Sequence, residues 1–258
     1  MATVHRPATR ARTAVFAPLG DAGRAVRVAQ RLEQAIRAGI LAEGERLPSE
    51  PELASMLGVA TVTAREALVS LRAQGLVTTV RGHGGGSFVT RPEGGHERVT
   101  RQRLAAMTKV ELGDHGTHYS AVLAGCAELA AERADTEEVA ELREIVALGR
   151  PRDDAPEPTL GEVRHADTEL HLAIAALTQS ARLAREVVRM ESDFGVVLRL
   201  PLGLDEHRTR IHDLQQQLIA AIGHQDPAAA RAVMRRRVQE TLGALARMRA
   251  DALRGVEA

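Results

Sequence analysis

The 258-residue chain has little of several things, and each scarcity excludes something. Cys126 is the single cysteine, so neither an intramolecular disulfide nor a cysteine-based metal centre can form. There is no tryptophan, one tyrosine and three phenylalanines, so aromatic stacking does not dominate either core or partner recognition. No run approaches the ~18 apolar residues of a membrane-spanning helix. Residues 1–20 carry three arginines before Phe16 but lack an apolar stretch of signal-peptide length, and the expected location is the cytoplasm. Formal net charge is zero, so the chain is no polycation. Lysine is nearly absent too: Lys109 stands alone in an otherwise all-arginine basic set, which with the abundant alanine reads as nucleotide bias.

What is present is unevenly distributed. Residues 1–100 hold 13 arginines against 9 acidic residues, and 101–258 hold 21 basic against 25 acidic. The excess of about +4 in the first part favours a nucleic-acid partner there. An apolar share of 44% in a chain of this length suffices for one large or two ordinary cores.

Periodicity divides the chain. Residues 1–20 read as a basic arm, either a disordered tail or one that adds phosphate contacts. In the segment 21–90, Val28, Leu32, Ala35 and Ile36 form a helical stripe ending near Gly39. Leu53, Met56 and Leu57 form a second, and Ala64, Ala67, Leu68 and Leu71 a third, with Gly58 as the turn between them. β-Rich pieces at Leu76–Val80 and Ser87–Thr90 flank a glycine cluster at 82–86. This order predicts a winged helix-turn-helix. RPEGGHERVTR lacks periodicity and is expected as a linker over 91–102. Residues 103–254 predict an all-α bundle, with helices near 117–133, 136–149, 159–177, 180–200, 204–224 and 226–254. The fold class expected is therefore mainly α, with a small β wing.

Within the bundle, polar residues interrupt apolar stripes. Asp167 and His171 share the face of Leu160, Val163, Leu170 and Ile174 at i, i+4. Gln215 lies on the stripe of Ile211, Leu214, Leu218 and Ile222, and Arg237 on that of Met234, Val238 and Thr241. Four polar groups buried from three helices must meet one another, water or a ligand.

The pieces LPSEPELA, GV with TVTAREAL, LRAQGLV and RGHGGGSFV, in this order and spacing, resemble the DNA-binding domain of the GntR family of bacterial transcription regulators. The second half resembles, more loosely, the ligand-sensing FCD domain of the FadR subfamily, a bundle of six or seven helices. The resemblance implies a homodimeric, DNA-binding regulator, expected to be a repressor, released or engaged by a small acidic effector. It implies DNA contacts from Ser49, Thr61, Thr63 and Arg65, and from the wing residues Arg81, Gly82, His83 and Gly84. Arg65 suits bidentate contact with a guanine edge, and the alternative for it is an ion pair with Glu66 or another acid.

Departures accompany the resemblance. Pro51 stands where the family usually has a DNA-contacting arginine, and Ala60–Thr61 replace the usual Ser or Thr followed by Arg. In the FCD family an Asp and three His hold a divalent metal; Asp167 and His171 match the first pair, but Gln215 and Arg237 fall at the third and fourth positions. A guanidinium has no lone pair to offer a metal. No metal cofactor is therefore expected. Asp167, His171, Gln215 and Arg237 are expected at the effector site, where Arg237 either closes a structural bridge with Asp167 or offers donors to an anion. A residual metal site of Asp167 and His171 with His207 or His212 is the remaining alternative. The competing functional reading is a helical-bundle enzyme or metabolite-binding protein with an accessory DNA-binding domain. No nucleophile–base motif or phosphate loop supports it, although Asp167 and His171 have acid–base chemistry.

Overall fold

The computed structural model describes residues 24–38, 40–41, 43–80, 82, 85–90, 95–151 and 157–256. The chain divides into two compact units between His96 and Glu97.

The first unit opens with α1 (Arg24–Ala38), whose Val28, Leu32, Ala35 and Ile36 are all buried, as the stripe predicts. Next come α2 (Glu50–Leu57) and α3 (Thr61–Ala73), which meet at 111°. That angle lies in the range of helix-turn-helix pairs. The turn needs its glycine: Gly58 caps α2 in the left-handed region, φ 65° and ψ 37°, where a side chain is strained. At the other end Ser49 closes a capping box, accepting from the Glu52 amide while the Glu52 carboxylate accepts from the Ser49 amide at 2.8 Å. Leu53 and Leu57 face the core, but Met56 is 42% exposed, contrary to its assignment to the stripe; Ala54 takes the inward place instead. An eight-residue helix has only about two turns, so its inward face is narrow.

The wing is the antiparallel pair β1 (Val77–Val80) and β2 (Gly86–Val89), in register Val77 to Val89 and Val80 to Gly86. Arg46 bridges to Phe88, and its Nη2 donates to the Gly85 carbonyl at 2.7 Å. Gly86 makes room for it, because a Cβ there would lie 2.7 Å from Arg46 Nε. Arg72 Nη1 donates to Thr79 Oγ1 at 3.1 Å and ties α3 to β1.

The second unit is all helical among the described residues. The boundary falls in the first turn of α4 (Gly95–Ala106), which occupies part of the stretch expected as a linker; the buried Thr100 and Leu104 give it an inward face too sparse to read as a period. α5 (Lys109–Arg133) starts eight residues earlier than the apolar stripe suggests, because Thr108 and Glu111 form a capping box there. α6 (Thr136–Ala147), α7 (Leu160–Leu177), α8 (Ala181–Met190), α9 (Asp205–Gly223) and α10 (Pro227–Val256) follow. α5 packs along α10, α9 lies against α10, and α7 lies between α5 and α6. At Gly116 a Cβ would run into the Leu242 side chain, so the α5–α10 approach depends on that glycine.

The helix expected over 180–200 is not continuous. α8 passes into a π-helical turn, Glu191–Gly195, then one short turn at Val196–Leu198 and a 3-10 turn at Leu200–Gly203. Phe194 of the π turn is fully buried between rings, stacked on His115 at 4.3 Å and edge-on to Tyr119 at 5.9 Å. The Tyr119 hydroxyl donates to the Met190 carbonyl at 2.5 Å. The extra residue of a π turn rotates the side chains after it, and such turns recur at functional sites. Among the described residues no single helix is long and apolar enough to cross a membrane.

Candidate nucleic-acid interface and buried polar site

α3 buries Ala64, Ala67, Leu68 and Leu71 and turns Thr61, Val62, Arg65, Glu66 and Val69 outward. Its N-cap, Ala60, supplies no side-chain hydrogen bond and its carbonyl accepts from the Thr63 amide at 3.0 Å, so the Thr61 and Val62 amides are left for an external acceptor such as a phosphate. Thr61 is exposed and Thr63 half-buried at this end. Arg65 Nε donates to Glu50 Oε2 at 2.8 Å while the side chain stays 63% exposed. The ion pair weighed for this residue therefore exists, with Glu50 and not Glu66. It uses only Nε, and the terminal amino groups are the ones that meet a guanine edge in a bidentate contact.

Ser49 is exposed, yet its hydroxyl serves the capping box, donating to Glu52 Oε2 at 2.7 Å. Pro51 occupies the first turn of α2, where a missing amide proton costs nothing. In the wing tip Gly82 adopts φ 103°, a conformation open to glycine. Arg81, His83 and Gly84 lie outside the described residues.

In the second unit the four sequence-predicted polar residues do meet. Arg237 donates through Nη2 to Asp167 Oδ1 and sets Nη1 against His171 Nε2. Gln215 Nε2 donates to the same Asp167 oxygen at 3.1 Å. Asp167, His171 and Arg237 are buried and Gln215 is half-buried.

Two further charged residues complete the cluster. Glu191, fully buried on the π turn, lies with Oε1 2.7 Å from His171 Nδ1 and accepts from Arg199 Nη2 through Oε2. Arg199 Nε stands 3.2 Å from Asp167 Oδ2, an ion-pair contact without an aligned hydrogen bond. Glu191 was legible in one respect: it sits four residues after Val187 and three before Phe194 on an apolar stripe. Arg199 gave no periodic signal, because the chain leaves regular α geometry before reaching it.

The contacts fix the tautomer of His171. A guanidinium only donates, so Nε2 must accept from Arg237, and the ring proton sits on Nδ1 and is donated to Glu191. Burial, reinforced by Arg237, lowers the His171 pKa and keeps the ring neutral. Burial would raise Asp167, but Arg237, then His171 and Arg199, outweigh it and hold the carboxyl at about 2. For Glu191 burial is likewise overcome, chiefly by Arg199, and its pKa is lowered. Two carboxylates and two guanidiniums around a neutral imidazole make the cluster electrically balanced.

His207, expected as an alternative metal ligand, is buried with Nε2 unpartnered, and burial followed by Arg237 lowers its pKa to about 4. His212 is half-buried and makes no contact with the cluster among those described, lying instead on the wall of the adjoining cleft. Among the described residues no three His, Cys, Asp or Glu converge as metal ligands would.

A cleft of about 240 Å³ reaches the cluster from one side. Asp167 and Gln215 line it, together with the apolar Val163 and Ile211 and the polar Arg150, Arg208, Thr209 and His212. His171 and Arg237 do not line it. The predicted effector residues thus form one cluster, of which two are presented to the cleft.

A helix-turn-helix with a wing, followed by a helical bundle enclosing a polar cluster beside a cleft, is the arrangement of a one-chain DNA-binding regulator. Residues 24–89 match the model of the bacterial regulatory proteins of the gntR family, and residues 119–240 that of the FCD domain. RmpR of Mycobacterium gastri, assigned to the HTH-type transcriptional regulators, is 32% identical over 220 residues, covering 84% of this chain and 78% of RmpR. The Uxu operon transcriptional regulator of Escherichia coli K12 is 28% identical over 205 residues, 74% of each chain. The solved structure of E. coli McbR/YncC shares the fold, with a TM-score of 0.52 at 18% identity over 88% of this chain and 99% of that one. The chain belongs to the GntR family and carries an FCD domain. It is a DNA-binding transcription regulator and not an enzyme.

Proposed function

We propose that the protein is a cytoplasmic, homodimeric repressor whose hold on operator DNA is controlled by a small carboxylate-bearing metabolite, bound without a metal. Two copies reading two half-sites about one helical turn apart supply the specificity one short helix lacks. In each copy α3 enters the major groove with Arg65 against a guanine, Thr61 and Thr63 contact phosphates or base edges, and the wing residues Arg81 to Gly84 contact the adjacent groove.

The cleft beside Asp167 and Gln215 carries the effector reading. The buried cluster has no spare positive charge, so an incoming carboxylate is met in the cleft by Arg150 and by Arg208, which also pairs with Asp205 at 2.7 Å. Gln215 and the edge of Asp167 then read a hydroxyl or amide on the same molecule. Arg237, seated against His171 Nε2 where a metal would need the lone pair, argues against a bound cation.

A duplex selected by the full-length protein from genomic fragments, titrated with a panel of small carboxylates, tests the proposal. Weakened DNA binding with one of them, loss of that response in Arg208→Ala, and reduced run-off transcription by added repressor are expected. Carboxylates without effect on DNA affinity would overturn the effector reading, and increased transcription would overturn repression.

A further inference from the structure

The outermost line of α3 is not its arginine. Taking 100° per residue, the buried Ala64, Ala67, Leu68 and Leu71 centre on one direction, and the residues opposite are Val62, Glu66, Val69 and, at the far end, Ala73, with Arg65 to one side. Val62 is 58% exposed and Val69 52%. A β-branched residue on the solvent side of a helix gains no packing and loses rotamer freedom. Scattered exposed valines need no explanation on an ordinary surface. On the N-terminal turn of the groove-reading helix, however, Val62 stands one turn before Arg65 and beside an uncapped N-terminus, where recognition helices meet base edges.

In the major groove only thymine presents an apolar group, its 5-methyl. A valine offers that methyl a dry contact and offers every other base edge an unsatisfied donor or acceptor. We propose that Val62 is a specificity-determining residue that reads the methyl of one thymine in each half-site, next to the base pair read by Arg65. This rests on α3 being the helix that enters the major groove. Val62 and Arg65 are one turn apart and about 60° apart around α3, and Glu50 keeps Arg65 Nε occupied at 2.8 Å, so the two side chains emerge next to each other.

The test uses the full-length protein and a duplex selected from a random-sequence library. Each thymine of the selected half-site is replaced in turn by deoxyuridine, which differs only by the missing methyl. One replacement per half-site is expected to weaken wild-type binding roughly fourfold, the factor for one buried methyl-sized group. Val62→Ala should lose a similar factor on the parent duplex and become indifferent to deoxyuridine at that position alone. The exposed site predicts an unchanged far-ultraviolet spectrum and a melting temperature no lower than that of the wild type for the variant. Wild-type indifference to deoxyuridine at every thymine, or a Val62→Ala variant as sensitive as wild type, would overturn the inference. Arg65→Ala separates this from the underlying reading: full affinity in that variant removes α3 from the groove, whereas its loss alongside deoxyuridine indifference refutes only the role of Val62.

Discussion

Arg237 joins Asp167 to His171: one terminal amino group donates to the Asp167 carboxylate, and the other faces the unprotonated nitrogen of the imidazole. The guanidinium thus occupies the ground between two side chains that could otherwise share a cation. Glu191 on the far side of His171 completes a carboxylate–imidazole–cation line, the arrangement that orients histidines at metal centres, with an arginine in the terminal place.

Removing one member of this line should cost more than removing two. Arg237→Met leaves Asp167 and Glu191 buried around the single guanidinium of Arg199, with Gln215 as the other partner of Asp167, and a loss of about 3–5 kcal/mol is expected from the excess buried negative charge. Asp167→Asn combined with Arg237→Met removes the stranded charge and should recover a large part of the loss. Urea unfolding of the two singles and the double measures it, and a fully additive double would contradict the coupling.

Gly195 sits where a Cβ would strike the Glu191 carboxylate and lie 2.6 Å from Arg199 Nη1. Both contacts are charged ends locked in the cluster, so they cannot swing aside freely. Gly195→Ala is expected to destabilise by about 1–3 kcal/mol, read as a fall in the urea midpoint. An unchanged midpoint would show that the π turn opens easily.

Acid should weaken the fold in two stages. His171 and His207 have lowered folded-state pKa values, the second about 4, so below pH ~6.5 the unfolded chain takes up protons that the folded chain refuses. Stability therefore declines as pH falls from about 6.5 toward 4. Asp167, at about 2, and Glu191 are lowered as well; their contribution is complete above pH ~4 and is lost as pH falls from there toward 2. Melting temperatures from pH 8 to 3 should show both declines, and His207→Gln should flatten the first. A flat profile between 6.5 and 4 would contradict burial of neutral histidines.

Much of this was legible in the residues, and the remainder was hidden for identifiable reasons. The helix-turn-helix rests on short stripes with a required glycine at Gly58, and both survive intact. The sharing of one interior by Asp167, His171, Gln215 and Arg237 followed from helical phase alone. The start of α5 was missed because its first turns, Lys109 to Gly116, are weakly apolar, although Thr108 and Glu111 spell a capping box. Arg199 was missed because a π turn breaks the phase that would have pointed it inward. Met56 was misplaced because a two-turn helix fits several stripes.

Protein purified without a polyhistidine tag should contain far less than one equivalent of zinc, nickel or manganese by elemental analysis. Chelator treatment should leave the melting temperature unchanged, because ligand removal shifts stability only where a ligand was bound. Stoichiometric metal would sink the reading of Arg237 as the resident cation.

The most direct measurement is recovery of genomic fragments by the purified full-length protein, with and without Arg65→Ala. Enrichment of a few discrete sites, each with two half-sites about one helical turn apart and lost with the variant, is the expected result. Enrichment of no discrete site, or the same sites from the variant, would contradict operator reading by α3.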